Sequence, residues 1–231
     1  MNPPLAEPPA TNGGTPRPTD EELARRRTAV GELGHELRAL VDAAVRTTAP
    51  DATLRHVADH VRRLTAELTG GGQRVRAEIP AVDEFPGGPR MYSPVTGPGS
   101  PLAPPVEVVP EAAGLVGRCV LGIAHEGPPG YAHGGMSAML LDELMGHACA
   151  AAGAPAMTIS LRLRYHGPVP VGTPLRIAAR VARTEGRKLH VDGSIATEAT
   201  PDTALVTAEA VFVAPDPARL RALFPHLPAT P

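Results

Sequence analysis

Glu126-Gly-Pro-Pro-Gly-Tyr-Ala-His133-Gly134-Gly135-Met-Ser-Ala-Met-Leu-Leu-Asp142-Glu143-Leu-Met-Gly146 is the stretch around which the 231-residue chain is organised. Its first half cannot be helical, because proline lacks the backbone donor and pushes its predecessor toward extended geometry, while Gly130 permits a sharp turn. From Gly135 to about Ala152 there is no proline, and Ala, Leu and Met, all good helix formers, dominate. Apolar residues fall on every side of this helix, so it is expected to be buried all round. One carboxylate, Asp142, sits at its middle, where a charge is costly unless paired, hydrogen-bonded or employed. At its front, Gly134 and Gly135 offer N–H groups with no side chain to block approach, and the positive end of the helix dipole adds to them. Such a place suits an oxygen that gains negative charge.

Gly134 and Asp142 are eight residues apart, about 12 Å along a helix axis. One small reacting group cannot touch both on one helix. If both act on one substrate, they come from two copies related by symmetry, which places the expected site at a homodimer interface.

Outward from this stretch the chain divides into unlike parts. Residues 1–18 are rich in Pro, Gly and Thr and are expected to form a disordered tail. Thr19-Asp-Glu-Glu22 has the form of a capping box. Val30, Leu33, Leu37, Leu40, Val41 and Ala44 then repeat at helical spacing, and after Pro50 so do Leu54, Val57, Val61, Leu64 and Leu68, up to Gly70-Gly71-Gly72. A helical hairpin over 19–72 is expected, its apolar stripes packing on the main domain or on a partner. Its arginines (Arg25, Arg26, Arg27, Arg62, Arg63) read as solvated surface. Residues 73–104, dense in Pro and Gly, read as a long stiff loop, either a lid over an apolar ligand or simple surface wrapping.

Strand signals dominate residues 105–215: Val106–Val109, Leu115–Ile123, Met157–Tyr165, Pro174–Arg183, Lys188–Thr197 and Leu205–Ala214, with turns at Glu185-Gly186 and Pro201-Asp202. A short helix from Asp216 to Phe224 and a tail close the chain. The fold class is therefore α+β: an antiparallel sheet curled around one long buried helix, with an N-terminal helical extension.

Residues 126–142, with Glu-Gly-Pro-Pro-Gly-x-x-His-Gly-Gly and an Asp seven residues after the second Gly, resemble the PaaI-type acyl-CoA thioesterases of the hotdog-fold superfamily. The similarity runs over residues 103–214 in motif order and strand pattern, including the Tyr165-His-Gly-Pro168…Gly172 turn. The resemblance implies a dimer whose sheets join edge to edge. It implies that Asp142 is the general base or nucleophile toward a thioester, and that the backbone N–H of Gly134, with Gly135 close by, polarises its carbonyl. It also implies an assisting hydroxyl on the next strand, Thr158 or Ser160. By period two these share a strand face, opposite Met157, Ile159, Leu161 and Leu163. His133 is expected to brace the loop or to contact substrate. Glu143, the neighbouring acid, points about 100° away and is expected at the rim. The sequence departs from some relatives in having Gly127 where they carry a water-orienting Asn; His133, His125 or Glu126 could take that role.

Coenzyme A carries phosphates, so cations are expected at the rim; Arg187, Lys188 and Arg164 are the candidates. No metal or separate cofactor is expected, coenzyme A being part of the substrate. The formal net charge of −2 leaves no footprint for nucleic acid, and no run reaches the length of a membrane span. Cys119 and Cys149 sit in apolar strings without metal spacing and read as reduced, buried thiols. The first ten residues have neither the basic nor the apolar region of a secretory leader, and the expected location is the cytoplasm. Two other readings stay open at this point: a non-catalytic acyl-CoA-binding hotdog protein, serving as sensor or partner subunit, and hydration of an enoyl thioester.

Overall fold

Thr19 Oγ1 accepts from the Glu22 N–H while the Glu22 carboxylate accepts from the Thr19 N–H, a reciprocal cap that starts α1 (Asp20–Arg46). The computed structural model describes residues 18–75, 78–83, 88, 90–112, 114–216 and 218–219. The expected N-terminal tail, residue 18 apart, lies outside them, as does most of the closing helix expected from Asp216 to Phe224. After α1 come α2 (Asp51–Gly70), β1 (Glu107–Glu111), β2 (Gly114–Val120), α3 (Gly134–Ala151), β3 (Met157–Tyr165), β4 (Pro174–Glu185), β5 (Lys188–Thr197) and β6 (Val206–Val213). The strand expected to run to Ile123 ends at Val120, and Ile123–His125 form a single 3-10 turn instead.

The six strands form one antiparallel sheet in the order β1-β2-β4-β5-β6-β3, and α3 lies across one face of it. That is the α+β arrangement expected of a hotdog fold. β3 and β1 are the edges. Ala208, Ala210 and Phe212 of β6, Val191 and Ile195 of β5, and Ile177 of β4 point at α3 and are buried. Glycines let helix and sheet approach. A Cβ on Gly193 would stand 2.9 Å from Leu141 Cδ2, and one on Gly117 3.3 Å from Leu144 Cδ2.

α3 is not buried all round. Ser137, Leu140, Leu141, Leu144, Met145, Ala148 and Cys149 form one buried stripe at helical spacing; Met136, Met139, Asp142, Glu143 and Gly146, on the other sides, are half-buried. An all-apolar composition does not say which side meets the sheet; one sheet in one copy covers only one side.

Residues 90–106 form a chain of tight turns wedged between α1 and the core. Val95 and Ala103 are buried, and Val95 belongs to the main core. Arg38 donates to the carbonyls of Pro98 and Ser100, both at 2.8 Å. A Cβ on Gly34 of α1 would meet the Pro98 carbonyl oxygen and, at 2.7 Å, the Gly99 Cα. These are backbone atoms that cannot step aside. Gly34→Ala should therefore cost about 1–3 kcal/mol, as overpacking does. Hydrogen exchange would show the loss as faster exchange along α1 with the sheet unaffected.

The two N-terminal helices do not close on each other as the expected hairpin would. α2 is exposed along its whole length, and Leu33, Leu40, Val41 and Val45 of α1 are exposed as well.

Candidate active site

The loop before α3 is strapped down by its own backbone. Gly130, at φ 83°, makes the turn; Glu126 Oε1 accepts from its N–H at 2.6 Å, and Gly127 N–H donates to the Tyr131 carbonyl at 2.9 Å. Ala132 N–H then reaches the Val169 carbonyl (2.8 Å) and His133 N–H the His125 carbonyl (2.9 Å). These bonds aim the His-Gly-Gly element at one end of the sheet.

His133 is the N-cap of α3, with φ −60° and ψ 135°, and its Nδ1 accepts the Gly135 N–H at 3.0 Å. Of the roles expected for it, the ring performs the bracing one. It also occupies one of the two expected donors. Gly135 N–H is spoken for, whereas no acceptor among the described residues meets the Gly134 N–H, which stays at the positive end of the helix. From β3, Tyr165 Oη donates to the Gly134 carbonyl at 2.9 Å and fixes the peptide plane. That contact was not foreseen, although the Tyr165-His-Gly-Pro turn was the signal that could have pointed to it.

Two turns further along α3, Asp142 is half-buried and Thr158 Oγ1 donates to its Oδ1 at 2.7 Å. Ser160 does not join them. The register pairs Thr158 with Phe212 and Ser160 with Val211, so Ile159 is an extra residue and a bulge breaks the alternation. Opposed residues share a face: Thr158, beside buried Phe212, points to α3, and Ser160 lies on the outer face with Arg162, Glu209 and Val211. The shared face expected from period two is thus corrected. Thr158→Val should lower turnover about 10–100-fold by removing a hydrogen bond to a charged group, worth about 1.5–3 kcal/mol. Thr158→Ser should keep turnover near normal, and kinetics on the two variants would check it.

Glu143 is not a free acid at the rim. It accepts from Ser93 Oγ (2.7 Å) and Thr96 Oγ1 (3.2 Å) of the 90–106 loop and lies 3.6 Å from His147 Nε2. Its carboxyl is held below the ordinary carboxylate range by the His147 hydrogen bond first, then by the two hydroxyls, against the opposing effect of burial. A carboxyl more acidic in the folded chain than in the unfolded one stabilises the fold above the unfolded pKa of about 4.3, and that contribution drains away as pH falls through the lower folded value. Thermal unfolding followed from pH 6 downward should lose stability below that range, and Glu143→Gln should flatten this part of the profile.

Of the alternatives for a water-orienting group, Glu126 and His133 hold the loop, while His125 sets its Nε2 3.5 Å from the Leu102 carbonyl and its buried Nδ1 meets no partner among the described residues. Position 127 has no room for a side chain, since a Cβ there would lie 2.9 Å from His133 Cα.

Arg187 lies in the β4–β5 turn and Lys188 opens β5. Lys188 is in register with Val213 and through it with Met157, at the Thr158 end of the sheet. Arg187 reaches the Ala214 carbonyl at 3.3 Å and Asp216 at 3.6 Å. Arg164 sits at the other end of β3 on the outer face, opposite Thr207. The three cations therefore do not converge on one spot in one chain. Among the described residues no group of three or more His, Cys, Asp or Glu is placed to hold a metal, and no helix is long and apolar enough to cross a membrane. Burial pushes the Cys119 thiol up to about 12 and the Cys149 thiol to about 11, which leaves both unreactive.

Asp142 with the Thr158 hydroxyl on its carboxylate and the bare Gly134 amide at the helix start make up the candidate site, carried by one helix lying across a six-stranded antiparallel sheet, the hotdog arrangement. Comparison with known proteins agrees. Residues 129–204 match the family model described as thioesterase superfamily. The crystal structure of a thioesterase superfamily protein is 35% identical in sequence and superposes with a TM-score of 0.72, over 80% of this chain and 94% of the other. The chain belongs to the thioesterase superfamily. It is similar to the acyl-coenzyme A thioesterase THEM4 of Xenopus laevis, 36% identical over 83 residues, which are 32% of this chain and 37% of that protein. It is also similar to the acyl-coenzyme A thioesterase THEM5 of Mus musculus, 33% identical over 88 residues, 38% of this chain and 35% of the relative. The matches thus span little more than a third of these curated relatives.

Proposed function

We propose that the chain is an acyl-CoA thioesterase, hydrolysing acyl- or arylacyl-CoA to the free acid and coenzyme A. The observation that carries this reading is the Thr158–Asp142 hydrogen bond on a chain of the thioesterase superfamily. Thr158 fills one lone pair of Oδ1 and orients the carboxylate, leaving Oδ2 to take a proton from water. The water oxygen attacks the thioester carbonyl, whose oxygen gains charge and is met by the Gly134 N–H. Collapse of the tetrahedral intermediate breaks the C–S bond, and the proton held by Asp142 passes to the leaving thiolate.

Asp142 and Gly134 of one chain lie about 12 Å apart on α3, too far for one carbonyl. The acid therefore works opposite the helix end of a second copy, in a homodimer joined along the unpaired edge of β3, alone or as a dimer of dimers. The acyl chain lies against the half-buried side of α3, at Met136 and Met139. Lys188 and Arg187, at the Thr158 end, are the better placed of the cations for the phosphates of coenzyme A. Reduced thiols and the soluble substrate fit work in the cytoplasm.

A screen with a thiol-reactive dye over short, long and aryl CoA esters tests the reading. Release of free thiol supports it; binding of CoA esters without release would overturn it in favour of a non-catalytic sensor or partner subunit.

A further inference from the structure

Leu54, Val57, Val61, Leu64 and Leu68 of α2 repeat in alternating steps of three and four, and all are exposed, Leu64 at 56% and Leu68 at 54%. This is the narrow a/d seam of a helix that packs on another helix; the broad stripe of a helix lying on a sheet would include more positions. The residues flanking it are small or polar: Thr53, Ala58, His60, Thr65 and Glu67. Helical stability in proteins comes mostly from packing of the amphipathic face, so the seam of this 20-residue helix calls for a cover.

Among the described residues no other element of the chain supplies one. Thr47 and Pro50, with ψ 142° and 156°, make the connection extended and carry α2 away from α1. α1 meanwhile uses Val30 and Gly34 against the 90–106 loop and leaves a second stripe, Leu33, Leu40, Val41 and Val45, open to solvent. One short arm thus presents two uncovered apolar stripes.

We infer that the α1–α2 arm is a self-association surface, α2 of one copy seating on the exposed α1 stripe of a second copy and the second copy reciprocating. The exchange is isologous and closes on itself as a four-helix assembly. The arm exposes nine leucines and valines, each by 36–56% of its surface, an apolar area of the order that one partner of a standard-size stable interface, ~800 Å², buries. Charge agrees. Arg55, Arg62 and Arg63 of α2 are balanced by Asp51, Asp59 and Glu67, so two copies do not repel, and the helix lacks the basic face that an anionic membrane surface attracts. The surface is separate from the β3 edge and stands whether or not the chain hydrolyses thioesters.

Sedimentation velocity on the full chain and on its Val61→Asp/Leu64→Asp variant tests this. The variant assembly should have half the mass of the wild-type one, whether that step is tetramer to dimer or dimer to monomer. Hydrogen exchange of the unaltered chain needs no variant: α2 amides should be protected at high protein concentration and lose at least about tenfold of that protection on dilution. Equal masses for the two proteins, or α2 exchanging at the unprotected rate at every concentration, would overturn the inference. So would α2-dependent pelleting with phosphatidylserine–phosphatidylcholine vesicles at unchanged assembly mass, which would hand the seam to a lipid surface.

Discussion

Asp142→Asn should reduce thiol release from acyl-CoA by about 10²–10⁴-fold, the range over which a positioned base contributes. Asparagine has the same shape, and its Oδ1 still accepts from Thr158 Oγ1, so the contact seen at 2.7 Å survives. It cannot take a proton from water. The loss should therefore appear in kcat, with KM, thermal unfolding and assembly mass close to those of the unaltered chain. Turnover within a few fold of normal would remove Asp142 from the chemistry and leave the thioester reading without its base.

Leu141→Ala should be strongly destabilising. Leu141 is fully buried, and β5 comes so close that a Cβ on Gly193 would touch its Cδ2 at 2.9 Å. Truncating such a leucine costs about 2–5 kcal/mol, the lost transfer energy plus the cavity left behind. For a chain of this size each kcal/mol is about 2–4 °C in Tm, so calorimetry should find unfolding about 5–15 °C lower. Because the next residue is Asp142, turnover should fall too, and Leu141→Met, which conserves volume, should restore most of both. A Tm within 2 °C of normal for the alanine variant would mean that α3 is not clamped to β5 as described.

How much of this was legible from residues alone depended on the kind of signal. The Pro-Pro-Gly turn, the helix after Gly135 and the alternation of Ile177, Ala179 and Val181 are local, since backbone chemistry within a few residues decides them, and so the element order could be read. Asp142 stood out because a carboxylate in an apolar helix has few bland explanations. Ser160 could not be separated from Thr158, because a single inserted residue, Ile159, reverses the face of everything beyond it, and a bulge leaves no mark in composition. Glu143 was misread as a rim acid. Its partners, Ser93 and Thr96, lie some fifty residues away in a loop with no periodicity. Backbone chemistry alone offered an N–H from both Gly134 and Gly135, and only the resemblance favoured the first; the structure shows the His133 ring taking the second N–H and Tyr165 holding the carbonyl of the first.

Sequence by itself determined the α+β class, the resemblance to hotdog thioesterases, the candidate acid and the helix start, because each rests on the preferences of neighbouring residues or on a spaced motif. Tertiary structure alone decided which side of α3 is buried, which hydroxyl meets Asp142, which amide stays free, and that α2 stands away from its own domain. These depend on register and on contacts between segments far apart in the chain. No local preference encodes such contacts, because they exist only once the sheet has packed against the helix.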